Sequence, residues 1–328
     1  MDAIVYHEYG SPDVLGLEEI DRPVVKEDGV LVRVRAASVN PADWHFMRGE
    51  PYIARLQIGL REPKDTVLGC DVAGQVEAVG QNVTTVQPGD EVFGSPFMRG
   101  FGAFAEYASV SEGLLAPKPA NLSFDQAAAV PLAGETALQG LRDHGRLEPG
   151  RKVLIIGASG GVGTFAVQIA KHLGAEVTGV CGAGNADMVR SLGADHVIDY
   201  TREDFTRPKQ GYDLIFQLAG TLSPSDCRRA LAAKGTLLLS SGESDGRWIG
   251  PLDRNVKALL SSPFVSQRLV AFTVKPNTDD LLFLNALIEA GAVTPVIDRS
   301  YPLREVPDAI RYLEEGHARG KLVVTVGN

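Results

Sequence analysis

Cysteine is scarce in this chain: three in 328 residues, at Cys70, Cys181 and Cys227, with no C-x-x-C pair among them. An odd, scattered set of this kind excludes a disulfide framework and a structural zinc knot. Long apolar runs are missing too, none approaching the ~20 residues that a bilayer span requires. The first residues, MDAIVYHEYG, lack the basic region and apolar stretch of an export signal. A cytoplasmic protein without membrane contact is expected. Positive charge is in deficit, with 32 Lys and Arg against 41 Asp and Glu, for a net charge of −9. That field repels nucleic acid and anionic lipid and favours a small-molecule substrate. What remains is an ordinary globular composition, 44% hydrophobic and 22% charged, long enough for two domains with proper cores.

The strongest positive signal is KVLIIGASGGVGTFAVQIAKHLGA, residues 152 to 175. A short apolar run, Val153 to Ile156, meets a glycine-rich turn, and apolar residues then recur at Phe165, Val167, Ile169 and Leu173. The period changes from strand to helix. A dinucleotide pyrophosphate suits such a turn. Gly157 permits the tight bend, Gly160 lets backbone approach phosphate, and Gly163 lets helix pack on strand. The helix N-terminus, with backbone from Ser159, Gly160, Gly161 and Val162, offers N–H groups to the anion. A second strand, Glu176 to Cys181, follows at the expected distance.

Around this motif the chain has two characters. The first ~120 residues read as short strands (Val30 to Ala36, Val72 to Val79, Glu91 to Gly94, Ala103 to Val110) punctuated by glycine and proline. Beyond Ser123 strands and helices alternate as in a doubly wound parallel sheet. Strands are expected at 152–157, 176–181, 196–199, 213–218, 235–240 and 269–274, with helices near 161–173, 185–192 and 223–232. Residues 243–268 read as a surface excursion with a helix around Val256 to Leu260. The segment after Pro276 reads as an amphipathic helix, and 306–326 as a helix followed by a strand.

RVRAASVNPADW (33–44), TVLGCDVAGQVEAVG (66–80), QPGDEVFG (87–94), AAVPLAGETALQGL (128–141), the glycine turn and HARGKLVV (317–324) together resemble the medium-chain dehydrogenase/reductase superfamily. Within it the chain is most similar to the zinc-free quinone oxidoreductase-like branch. The resemblance implies an α/β architecture with a GroES-like β-barrel catalytic domain, residues 1–127 and 275–328, wrapped around a Rossmann dinucleotide-binding domain, 128–274. The active site would be the cleft between them. A homodimer paired through the last strand of the nucleotide-binding sheet is also implied.

In zinc-dependent members, ligand positions correspond to Asn40 and the pair Cys70-Asp71 of this chain, and the loop bearing four cysteines is replaced by a cysteine-free segment. No zinc is expected. Without that Lewis acid, simple alcohol oxidation loses its main charge stabilisation, whereas a quinone or an α,β-unsaturated carbonyl spreads the negative charge itself.

For the cofactor, the acid that usually ends the second strand and holds a ribose hydroxyl is replaced by Cys181, which permits NADPH while leaving NADH possible. The Gly182-Ala183-Gly184 turn departs from related NADPH sites by lacking a cation; Asn185, Tyr200 and Arg190 are the nearby candidates to contact the 2′-phosphate, with Arg190 equally a solvated helix residue. The resemblance sets Thr136, Leu218, Ala219, Ser240, Phe272 and Val274 along the cofactor groove. It makes Asn40 a candidate amide donor to a substrate carbonyl and His45 or Tyr52 a candidate proton donor. Asp43 is expected to hold the turn through an Asx-type bond. Glu135 replaces the usual apolar residue with no role assigned, and Lys321 is similar to the lysine of the family's closing strand. A short-chain dehydrogenase is opposed by the absence of any Tyr-x-x-x-Lys. A non-enzymatic NADPH-binding sensor or crystallin-like protein remains the alternative to a reductase.

Overall fold

The computed structural model describes residues 1–97, 100–208, 211–220, 222–240 and 266–327. The helix expected around Val256 to Leu260, most of the 243–268 excursion, and the end of the Ser240-Ser241-Gly242 segment lie outside these residues. The chain divides into two compact units, Met1–Glu135 with Lys275–Asn328, and Thr136–Val274.

In the second unit six parallel strands lie in the order His196–Asp199, Glu176–Cys181, Lys152–Ile156, Tyr212–Gln217, Leu231–Leu239 and Arg268–Ala271. Numbered along the chain this is 3-2-1-4-5-6, two mononucleotide halves that meet at the first strand. Val153, Leu154 and Ile155 have no exposed surface. Burial on both faces explains why this strand is a continuous apolar run rather than an alternating one. The helix Gly161–His172 follows and buries Phe165, Ala166, Val167, Ile169 and Ala170. The last strand is shorter than expected and ends at Ala271, because its partner strand stops at Leu239 in register with it. Phe272 makes one further backbone bond to Leu239 O, and Val274 lies beyond the sheet.

The first unit is organised on the eleven-residue strand Gly29–Val39. One edge pairs antiparallel with Asp71–Val79; the other pairs with Tyr107–Ser111 in its first half and Lys321–Thr325 in its second. Glu91–Gly94, Leu115–Pro117 and Ile297–Pro302 extend this sheet to seven strands, and a separate ribbon joins Asp2–Val5 to Gly16–Glu19. Val32, Val34, Val39, Val72, Val76, Phe104, Leu322 and Val324 form its apolar interior. The strand expected from Ala103 begins at Tyr107, Ala105 making only an isolated bridge to Ala3.

The segment after Asn40, expected as a turn, is a helix, Pro41–Arg48. Proline at its first position needs no N–H partner there, and Asp43 Oδ2 accepts from Asn40 N at 2.8 Å, one half of a capping box. Strand register then does the positioning. Leu322 lies across from Val39 and Asp71 across from Ser38, so the start of the last strand and the start of Asp71–Val79 both meet the end of Gly29–Val39.

Candidate cofactor and active site

The glycine turn has the geometry its sequence implies. Gly157 adopts φ +87°, a left-handed conformation that other residues rarely take. A Cβ on Gly163 would stand 2.1 Å from Gly157 O, so only glycine permits this approach of helix to strand. At Gly160 a Cβ would meet nothing closer than Gly157 O at 3.5 Å. The protein therefore leaves an open side at Gly160, at the N-terminus of Gly161–His172, where no side chain caps the helix. Backbone N–H groups and the positive end of the dipole suit a phosphate there.

At the end of the second strand Cys181 is 3% exposed and lies in register with Asp199 of the neighbouring strand. Tyr200 N donates to Cys181 O, and the Tyr200 ring, 60% exposed, lies 3.8 Å from the place a Cβ on Gly182 would take. Asn185 Nδ2 donates to Ser159 Oγ at 3.2 Å, while Asn185 Oδ1 is buried with no hydrogen-bond partner among the described residues. A buried acceptor in that state calls for a donor from elsewhere. Arg190 pairs with Asp187 at 2.8 Å in a solvent-exposed contact, and its charge lies near enough to Cys181 to pull that thiol's pKa down against burial and Asp199. These features fit a dinucleotide.

Among the groove residues, Leu218 N donates to Ile156 O, Ser240 N to Gln217 O, and Ala219 packs against Gly157, whose Cβ would lie 2.7 Å from it. All three stand past the carboxyl ends of the central strands. Phe272 stacks on His144 with ring centroids 4.5 Å apart, and Thr136 is 7% exposed.

In the first unit the candidate residues meet in a buried polar network. Asp71, with no exposed surface, accepts from four donors: Ser38 Oγ at 2.6 Å, Asn40 Nδ2 at 2.8 Å and Lys321 Nζ at 3.4 Å on Oδ2, and Leu132 N at 2.8 Å on Oδ1. Lys321, 3% exposed, also donates to Asn40 Oδ1 at 2.6 Å and Val39 O at 3.4 Å. Asn40 is thus corrected from its expected role. Its amide hydrogens go to Asp71 and to Ser38 O at 3.2 Å, its oxygen is held by Lys321, and at 3% exposure it has no donor left for a substrate carbonyl.

Asp43 takes a structural part, though through a capping bond and long-range bonds rather than an Asx turn. Its Oδ1 accepts from Gly69 N at 3.1 Å and from the Cys70 thiol at 3.2 Å. Burial pushes its carboxyl up to about 7, against the pull of Asn40 N, Cys70 and Gly69. Burial, followed by the nearby Asp43 and Asp71 charges, also lifts the Cys70 thiol well above its usual range.

His45 is corrected as a proton donor. Burial lowers its pKa, so the ring is neutral at pH 7, and Nδ1 stands 3.1 Å from the Glu50 carbonyl. A carbonyl only accepts, so Nδ1 carries the hydrogen and Nε2 is left as an acceptor. Tyr52 keeps its candidacy. Its ring lies 4.7 Å from the Arg55 guanidinium, which also covers Tyr9 at 4.3 Å and donates to Gly49 O, fixing the loop. Glu135, unassigned from sequence, accepts from Asn277 N at 2.8 Å, and burial raises its carboxyl well above the ordinary range. It anchors the N-cap of the helix Thr278–Glu289.

A zinc ion does not fit the positions matched to its ligands. They hold an amide, a protonated thiol hydrogen-bonded to Asp43, and a carboxylate already facing the Lys321 ammonium. Among the described residues no group of three or more His, Cys, Asp or Glu side chains is arranged to hold a metal. The ammonium was the residue that sequence reasoning undervalued. Its signal was a lone lysine at the head of an apolar strand.

Two family models match the chain: an alcohol dehydrogenase GroES-like domain over residues 26–120 and a zinc-binding dehydrogenase over 192–324. The NADPH-dependent alkenal/one oxidoreductase of Arabidopsis thaliana is 37% identical over 99% of this chain and 79% of its own length. The quinone oxidoreductase of Coxiella burnetii superposes with a TM-score of 0.85 at 31% identity, covering 100% of this chain and 99% of that one. The Escherichia coli quinone oxidoreductase complexed with NADPH superposes with a TM-score of 0.85 at 26% identity, covering 99% and 100%. With the 3-2-1-4-5-6 sheet, the glycine turn and the GroES-like unit all in place, the chain belongs to the medium-chain dehydrogenase/reductase superfamily, in its quinone oxidoreductase-like branch.

Proposed function

We propose that this protein is a zinc-independent reductase that uses NADPH to reduce a quinone or an α,β-unsaturated carbonyl compound. The observation that carries the reading is the glycine turn, with its open side at Gly160 and the uncapped helix start beside it. Ser159 to Val162 would hold the pyrophosphate, Gly182, Asn185 and Tyr200 the adenosine end, and Thr136, Leu218, Ala219, Ser240, Phe272 and Val274 the nicotinamide half. When bound, the reduced nicotinamide supplies a hydride.

The Lys321 ammonium beside Asn40 and Asp71 supports chemistry without zinc. An acceptor that delocalises its own negative charge needs less electrophilic help, and the alkenal/one and quinone relatives are named for acceptors of that class. Cys181 in place of an acid, and the NADPH complex of the E. coli relative, support NADPH as the donor. Tyr52 is the remaining proton-donor candidate.

The test is a panel of quinones, enones and aldehydes followed by the fall in NADPH absorbance, with NADH in parallel and after exhaustive chelation. Multiple turnover of a quinone or enone, unchanged by chelation, is expected. Tight NADPH binding with no turnover of any acceptor would point to a non-enzymatic sensor, and zinc-restored activity would overturn metal independence.

A further inference from the structure

The loop that carries Tyr52 is held from outside itself. A short helical run, Tyr52–Ala54 continuing as Arg55–Ile58, presents Ile53 and Leu56 to solvent at 46% and 71% exposure. A run this short is not stable alone, and one that turns its large apolar side chains outward draws little from burial. What pins it is polar.

Arg55 is the centre of that frame. Its guanidinium takes two carbonyls at the end of the helix Pro41–Arg48, Nε donating to Gly49 O at 2.9 Å and Nη2 to Arg48 O at 3.1 Å, where a helix leaves acceptors unpaired and its dipole is negative. It also lies over two rings, Tyr9 at 4.3 Å and Tyr52 at 4.7 Å from their centroids. Gly49 makes the room: it adopts φ +61°, and a Cβ there would stand 2.6 Å from Arg55 Nε and 2.7 Å from Tyr9 Cδ1. Tyr9 Oη in turn donates to Gly59 O at 2.7 Å, at the residue that closes the run. Both ends of the run are thereby tied to one guanidinium.

We propose that Arg55 is a positioning residue for the reduction, setting the Tyr52 hydroxyl where charge collects on the acceptor oxygen. This rests on the functional reading above, with Tyr52 as its proton donor. For an enone, the β-carbon receives hydride from NADPH, which is oxidised to NADP+, and the C=C electron pair moves to the carbonyl oxygen. That oxygen takes the Tyr52 proton, the enol becomes the saturated ketone, and water reprotonates the phenolate. A donor engaged only as that charge develops raises kcat without tightening substrate, and a small displacement forfeits most of the gain.

The test is a double-mutant cycle on kcat with Arg55→Met and Tyr52→Phe, using NADPH with 3-buten-2-one and with 1,4-benzoquinone, and circular dichroism to confirm folding. Phe keeps a ring on the guanidinium, so it deletes the hydroxyl and leaves the frame. Tyr52→Phe should lower kcat about 10-fold or more and Arg55→Met about as much, with KM for the acceptor within about 3-fold of native. In the Tyr52→Phe background Arg55→Met should cost no more than about 2-fold further, because the group it positions is already gone. Chymotrypsin should cut after Tyr52 about 10-fold faster in Arg55→Met than in the native protein. Arg55→Lys keeps the charge without the planar fork and is read in the same way should the Met variant not fold. Losses that multiply in the double variant, a native kcat in a folded Arg55 variant, or unchanged cleavage after Tyr52 would overturn the positioning role. A native kcat in Tyr52→Phe would overturn Tyr52 as the donor and the proposal with it, whereas no turnover of either acceptor by the native protein would overturn the functional reading itself.

Discussion

Replacing Lys321 by Met removes the one cation that the described residues place in the Asp71 network while keeping an unbranched apolar stem of similar length. Both partners are out of solvent, at 3% and 0% exposure, so the surface discount for ion pairs does not apply. Removing one member of a buried pair costs about 3–5 kcal/mol, because the other charge stays buried. Two structural facts place the effect within that range. Asp71 retains the donors Ser38, Asn40 and Leu132, which softens the loss, whereas Asn40 Oδ1 loses the donor it held at 2.6 Å. A destabilisation of about 3–4 kcal/mol is expected, read from the urea midpoint by circular dichroism and tryptophan fluorescence. The double variant Lys321→Met/Asp71→Asn, which deletes both charges, should recover about 2 kcal/mol relative to the sum of the singles. A cost below about 1 kcal/mol for Lys321→Met, or strict additivity of the pair, would refute the reasoning that Lys321 and Asp71 are coupled as a buried ion pair.

The open side at Gly160 predicts that Gly160→Val folds normally yet loses about 2 kcal/mol or more in NADPH affinity, measured by calorimetry, since the new side chain meets ligand rather than protein. Asp43, pushed up to about 7 by burial, binds its proton more tightly folded than unfolded, so its contribution to stability falls as pH rises from about 4 to about 7 and then levels off. Glu135 acts with the same sign, while surface carboxylates held low, such as Asp13 and Glu112, titrate below this window. His45, held low by burial, contributes with the opposite sign over the lower part of this window, so the test is a difference: relative to the native protein, Asp43→Asn should remove a contribution that falls from pH 5 to 7 in thermal midpoints, and an identical pH profile counts against the buried-acid assignment. Arg268–Ala271 has no second partner strand among the described residues, and pairing across a two-fold axis at that edge predicts a dimer in light scattering at micromolar concentration.

The nucleotide-binding half was legible because its signals are local. A strand buried on both faces is a contiguous apolar run, and the glycines at 157, 160 and 163 each answer a constraint within a few residues of themselves. The helix Pro41–Arg48 was missed although Pro41 and the Asn40/Asp43 pair announced it, because eight residues give too short an apolar period to read. The expectation that Asn40 donates to a substrate fails for a different reason. Its amide is consumed by Asp71 and Lys321, 31 and 281 residues away along the chain, and no local pattern reveals such partners. His45 failed likewise, since its tautomer depends on a carbonyl presented by the turn at Glu50.

The pairing of Lys321 with Asp71 spans 250 residues, so the acid leaves the ribosome long before its counter-ion. Through most of translation Asp71 has Ser38 and Asn40 available as donors but no positive charge to bury with, and enclosing it then carries the penalty of a solitary ion. The strand Lys321–Thr325 supplies both the ammonium and the neighbour that covers residues 36–39. Completion of the GroES-like unit is thereby tied to the arrival of the final strand, and a nascent chain stalled before Lys321 holds an open, hydrated acid where the finished protein has a sealed core.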